Sequence, residues 1–347
     1  MPNIQWKTGT AFDFFVSLVV LHQPGTFAVR PSWAAGVRQR LPVAKREFLE
    51  KIHSISGVPL VWLSQLPDPG DAFTALRSID LLSPLDRLVE LTLTPDIKPN
   101  VRDCLLKIAK RGSVLEGELI LLRNNYHLRD APLPPKGLLN LVEIWSNFQI
   151  TGELYYSALQ DYYQSFFAEE EIRIRPALQA GLERGQELAS QFSLDSLIEE
   201  LSHGVRFTPM DDQTEITLAP SYWSSPFIFY TRQKPDQWIM LFGARPGVET
   251  IVPGAGPSSK LVSALKALSD PTRLRILRFL SDQPRSSSEL ARQLRLRLPT
   301  VIHHLRILRL AGLVHITVEE TEKRYASRLE VLESIQSTLV KFIRSEE

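Results

Sequence analysis

The chain has 347 residues, 44% of them hydrophobic and 23% charged, with 40 Lys/Arg against 39 Asp/Glu for a net charge of +1. This is the composition of an ordinary globular protein with room for two or three domains and a large core. No stretch of eighteen apolar residues occurs, which excludes a membrane-spanning helix, and the single cysteine, Cys104, excludes an intramolecular disulfide.

In chain order, FDFFVSLVVLH at 12–22 is too short to span a bilayer and is interrupted by Asp13. It has no basic start and no cleavage site, so it is not a signal peptide. These features fit the cytoplasm. Helical apolar spacing predicts helices over Phe12–Leu21, Ala44–Ile55, Val101–Arg111 and Leu138–Phe148. DAPLPPK at 130–136 breaks the pattern. A further helix over Leu154–Phe167 is rich in aromatics, and Ile172–Phe192 reads as a more exposed one.

From about 205 the period changes. Glu215–Leu218, Phe227–Thr231 and Trp238–Phe242 read as strands, with a turn at Lys234-Pro235-Asp236. VPGAGPSS at 252–259 reads as a linker. The expected class is therefore mainly α with small β elements. A helical domain with a small antiparallel sheet occupies 1–251, and a second domain occupies 260–347. No internal repeat or low-complexity tract is present.

The second domain carries the sharpest pattern. Asp270 can cap a helix whose first residue is Pro271, where the missing N–H costs nothing. Leu274, Ile276, Leu277 and Leu280 form its apolar side, with Arg273, Arg275 and Arg278 largely elsewhere. Ser286 and Glu289 have capping-box spacing and open a second helix with Leu290, Ala291 and Leu294 inside. Pro299 opens a third helix over about 299–311, stopped by Gly312. Val301, Leu305 and Leu308 share its core face, and His304 lies nearer the core flank.

Pro299, Thr300, His303, Arg306 and Ile307 lie on the opposite half of the third helix. Thr300, His303 and Arg306 offer the donors and acceptors a groove-reading helix needs; Ile307 does not. Ile316 and Val318 alternate with polar residues, and Arg324-Tyr325-Ala326 can return as a second strand. That hairpin is a wing, with Lys323 and Arg324 near its tip.

Charge agrees. Residues 260–328 hold fourteen Lys/Arg and six Asp/Glu, a net +8, which leaves −7 for the rest of the chain. A basic module on an acidic body suits binding of double-stranded DNA through one part only. Arg273, Arg295, Arg297, Lys323 and Arg324 are expected on phosphates.

LKALSDPTRLRILRFL, SELARQL and PTVIHHLRILRLAGLV together resemble the winged helix-turn-helix of the ArsR family of bacterial repressors, over about 260–328. The resemblance implies a homodimer on operator DNA, released by an inducer. It places Leu298, Pro299, Thr300, Ile302 and His303 on the DNA-contacting helix. Two positions depart from the family pattern: Leu298, where a polar residue is common, and Ile302, where a serine is.

Many such proteins sense metals. Here the second helix, SSSELARQL, has no cysteine, the last helix has no histidine, and His303 and His304 point to different faces. No metal or other cofactor is expected. Leu332, Ile335, Leu339 and Phe342 form a narrow seam on the last helix, which serves dimerisation as well as packing on its own domain.

The early apolar helix and ITLAPSYWSSPFIFY…WIMLFGARPG resemble the helical N-terminal domain of long ArsR-type regulators, which brings no established ligand. Tyr155, Tyr156, Tyr162, Tyr163, Trp223 and Trp238 are candidates to line an effector pocket, the alternative being plain core. The domain can instead be a structural or protein-interaction module without a small-molecule ligand. Catalysis is not expected: no G-x-S-x-G, H-E-x-x-H, G-x-x-x-x-G-K or G-x-G-x-x-G occurs, and His22, His53, His127 and His203 have no partner spacing. Asp211 and Asp212 read as solvated.

Overall fold

A computed structural model describes residues 3–24, 27, 29–67, 70–128, 131–208, 214–225, 227–234, 236–245, 259–319 and 322–344. It is mainly helical, and it divides into two compact units, 1–184 with 212–245, and 185–211 with 246–347. The chain thus passes between units three times. The sequence-predicted linker at 252–259 lies almost wholly outside the described residues.

The first unit is built around the helix Thr10–His22, buried from Thr10 through Leu21. Apolar side chains on all its sides leave no face for water, so it forms the centre of the core. Phe14 lies at ring-centroid distances of 5.1 Å from Phe167, 5.3 Å from Phe15 and 5.6 Å from Tyr162. The predicted helices appear as Val43–His53, Pro99–Arg111 and Pro135–Ser146. The aromatic one runs Phe148–Tyr162 and continues through a π-helical stretch, Tyr163–Phe167, into Ala168–Gln191. Gly152 lets the aromatic helix cross Pro84–Thr92 closely: a Cβ there would stand 2.3 Å from the Pro84 carbonyl oxygen.

The sheet of this unit is mixed, not simply antiparallel. Phe229–Lys234 and Gln237–Gly243 form the expected hairpin. Glu215–Ser221, however, pairs parallel with Gln237–Gly243 and parallel with Asn3–Trp6. The chain after Ser221 goes first to the far edge, so the returning hairpin strand lies beside its predecessor in the same direction. Asn3–Trp6 was not legible as a strand in the sequence.

Asp13, fully buried, ties helix to sheet. It accepts from Ser221 Oγ at 2.8 Å, Trp223 N at 2.8 Å and Tyr222 N at 3.2 Å. Burial raises its pKa to about 6, against the opposing pull of these hydrogen bonds.

The second unit holds the helices Ser259–Leu268, Pro271–Asp282, Ser287–Leu294, Leu298–Leu310 and Leu329–Arg344. Val314–Glu319 and Glu322–Ser327 form the wing hairpin, pairing Ile316 with Tyr325. Arg285–Ser286 adds to one edge, and Val205–Thr208 adds parallel to the other. That last strand explains why 185–211 groups with the C-terminal unit although the linker-based division places it in the first domain. Val205 and Phe207 are buried and Arg206 exposed, and the strand covers an otherwise open edge.

Candidate nucleic-acid interface

The three helices that frame the interface start where their caps dictate. Asp270 accepts from Arg273 N at 3.0 Å, a bond that holds its carboxyl below the usual range. Ser286 and Glu289 close a reciprocal capping box, with Ser286 N donating to Glu289 at 2.7 Å. Between the second and third helices the backbone turns at Arg295, left-handed with φ 55°, ψ 42°. The third helix then begins at Leu298, one residue ahead of the expected Pro299.

That helix buries Val301, Leu305 and Leu308 completely, as its periodicity requires. Arg309 is buried as well, and its guanidinium donates to the Ser202 carbonyl at 3.0 Å. The opposite face is open. Arg295, Arg297, Leu298, Pro299, Thr300, Ile302 and His303 are all exposed and form one run at the N-terminal end of the helix. Arg306 is half-buried beside them. His304 turns toward Asp270, with Nδ1 4.0 Å from the carboxylate, and burial lowers its pKa. The rings of His303 and His304 are 5.9 Å apart.

Three expectations need correction. Ile307 is half-buried against the core rather than on the open face. Leu274 is 49% exposed, while Arg273 takes the inward position. Arg273 donates to the carbonyls of Ala267 at 2.6 Å and Lys266 at 2.9 Å, and lies beside Asp270. Its donors fasten the end of the preceding helix, so the geometry does not favour a phosphate contact. The physical reason is angular: on this helix Arg273 shares the side of Ile276, Leu277 and Leu280, and Leu274 falls off it.

In the wing, Lys323 is exposed and pairs with Val318, while Arg324 is half-buried opposite Thr317 and Ser286. Residues 320–321 at the turn lie outside the described residues. Sequence reasoning missed the supporting strand Val205–Thr208 and the Arg309–Ser202 anchor. The alternation of Val205, Arg206 and Phe207 was the available signal. On the last helix, Ile335 is buried and Leu332 and Leu339 pack on their own unit, whereas Phe342 is 46% exposed, next to the exposed Val340 and Ile343.

The aromatic candidates in the first unit fall largely in its core. Tyr155, Tyr162 and Trp223 are buried, and Tyr156 and Tyr163 pack against them half-buried. Tyr162 shares a hydrogen bond with Ser17 at 2.9 Å. Trp238 is half-buried on the sheet with the Arg232 guanidinium 5.4 Å over its ring.

No curated protein matches the chain significantly. Among solved structures, an ArsR-like transcriptional regulator from Rhodococcus sp. RHA1 is 32% identical over 25% of this chain and 82% of its own, with a TM-score of 0.24. Reduced HlyU from Vibrio cholerae is 35% identical over 24% and 88%, with a TM-score of 0.21. A homodimeric winged helix-turn-helix DNA-binding domain from Mycobacterium bovis is 27% identical over 27% and 92%, with a TM-score of 0.21. The model of the arsR family of bacterial regulatory proteins matches residues 270–315, the stretch from the Asp270 cap to the first wing strand. Through that stretch the chain belongs to the ArsR family, whose work is regulation of transcription by binding DNA.

Proposed function

We propose that the protein is a homodimeric, sequence-specific repressor of the bacterial cytoplasm, released from its operator by a small, non-metal effector. The carrying observation is the uninterrupted exposed run from Arg297 to Thr300, with Ile302 and His303, on a helix whose other face is fully packed. Thr300, His303 and Arg306 read base edges, and Pro299 and Ile302 offer apolar contact to thymine methyls. Arg295, Arg297, Lys323 and Arg324 hold phosphates. Two reading helices per dimer call for a pseudo-palindromic site. Dimerisation through the last helix is supported by its exposed Val340, Phe342 and Ile343 and by the homodimeric Mycobacterium bovis domain.

Functionally, residues 260–347 bind DNA, 252–259 link, and 1–251 regulate and support oligomerisation, with 185–211 lending a strand to the DNA-binding module. The test is selection of bound genomic fragments by the full chain, followed by affinity measurement across salt. With about six to ten phosphates neutralised per dimer, affinity falls roughly a thousandfold or more between 50 and 200 mM salt. A flat salt response, or no preference for any duplex over competitor, overturns the proposal.

A further inference from the structure

The helix Thr10–His22 ends at a cavity of about 510 Å³, within the range of small-molecule sites, and none of the aromatic candidates lines it. Its wall is polar. His22 closes the first helix, Arg38 closes the helix Pro31–Arg38, and Arg46, Glu50 and His53 share one face of Val43–His53 at i, i+4 and i+7.

The charges on this wall are unspent. Arg46 and Glu50 have the spacing of a helical ion pair yet form none, and neither their side chains nor that of Arg38 makes a hydrogen bond or ion pair among the described residues. His22, on the same wall, holds a spare acceptor. Its Nδ1 lies 2.7 Å from the Leu18 carbonyl and donates to it. That leaves Nε2 with its lone pair, buried and without a hydrogen-bond partner. Burial lowers the His22 pKa, which keeps the ring neutral near pH 7. The His53 ring stacks obliquely at 4.7 Å and holds the imidazole in place.

Two guanidinium groups suit a carboxylate. A carboxylate, a neutral imidazole nitrogen and the negative ends of the two helices that stop here suit an ammonium group. A simple anion satisfies the first set and is repelled by Glu50 and both helix ends. A simple cation does the reverse. A group of three metal-capable side chains is absent among the described residues.

We infer that this cavity binds one of the standard free amino acids, carboxylate toward Arg38 and Arg46, ammonium toward Glu50 and His22 Nε2, and that this is the effector of the regulator. The identity as effector rests on the regulatory reading above; the binding site itself does not.

The test uses the full chain and the twenty standard L-amino acids, each at 5 mM, in a thermal-shift assay followed by calorimetry. At least one raises the melting temperature and binds with one site per chain. For that amino acid, the analogue lacking the amine and the analogue lacking the carboxylate each bind at least tenfold more weakly. The variants Arg46→Gln and Glu50→Gln, which keep the unliganded melting temperature, also lose at least tenfold. Silence from all twenty, equal binding of the amine-free analogue, or unchanged affinity in both variants overturns the site. A DNA-binding assay separates the two claims. Operator binding without amino acid tests the regulator. Calorimetric binding that leaves operator affinity unchanged keeps the site and rejects its role as effector site.

Discussion

Two helices of thirteen residues, Thr10–His22 and Leu298–Leu310, put the same length of chain to opposite uses. The first is buried from Thr10 through Leu21, and even its carboxylate, Asp13, is consumed by three donors from the sheet. The second buries Val301, Leu305, Leu308 and Arg309 and leaves the rest to solvent or half-covered. A helix with no spare face organises a core. A helix whose packing needs are met by one stripe has the other half available for a partner, and in this protein that half carries the side chains proposed to read the groove.

The contrast has measurable consequences. Phe14→Ala, at the centre of the buried helix, costs about 3–5 kcal/mol of stability. Thr300→Ala, on the open face, changes stability by no more than about 0.5 kcal/mol. Denaturant unfolding of the full chain followed by tryptophan fluorescence checks both, and equal losses would erase the distinction.

Asp13 sharpens it through pH. Its folded pKa of about 6 lies above the ordinary 3.8, so the protonated form is favoured in the native state. The stability this contributes is complete below about pH 4 and is lost as pH rises through 6, a change on the order of 3 kcal/mol. The stability of the wild type relative to Asp13→Asn should fall by that order between pH 4 and 7. A pH-independent difference between the two would show that burial does not govern this carboxyl.

On the open helix, Arg306→Ala should weaken operator binding by roughly 1–3 kcal/mol and relax one base position, read by anisotropy on operator variants. An equal loss on random DNA would assign Arg306 to a phosphate. Arg295 is held left-handed with φ 55°. Arg295→Gly relieves that backbone while freeing the unfolded chain, so stability stays within about 1 kcal/mol. The salt slope of DNA binding should fall by about one unit for each contact removed. An unchanged slope would show that the residue serves the turn alone.

Much of the interface was legible because its determinants are close together in sequence. A cap at Asp270, a box at Ser286 and Glu289, and the stripe Val301, Leu305, Leu308 each lie within a few residues of what they control. The placing of Arg273 on the apolar side was legible from its angle to Ile276, Leu277 and Leu280 and was overridden by residue type; what was not legible was the neighbour that admits a charged side chain there. That neighbour is the carbonyl end of the preceding helix. The aromatic run at 155–167 left both pocket and core open, with core the expected use of any one residue; packing around Phe14 decided for core.

The sequence by itself determined the longer helices, the caps at Asp270 and at Ser286 with Glu289, the wing's alternation and the basic character of the C-terminal module, because propensity, capping and local periodicity act over one or two turns. Only the tertiary structure decided which edge each short strand joins. Asn3–Trp6 pairs with a strand about 200 residues away, and Val205–Thr208 flanks the wing. Four residues hold too little periodicity to declare a partner. Their backbone groups bond to whichever edge the packed helices leave open, and that edge exists only after the chain has folded.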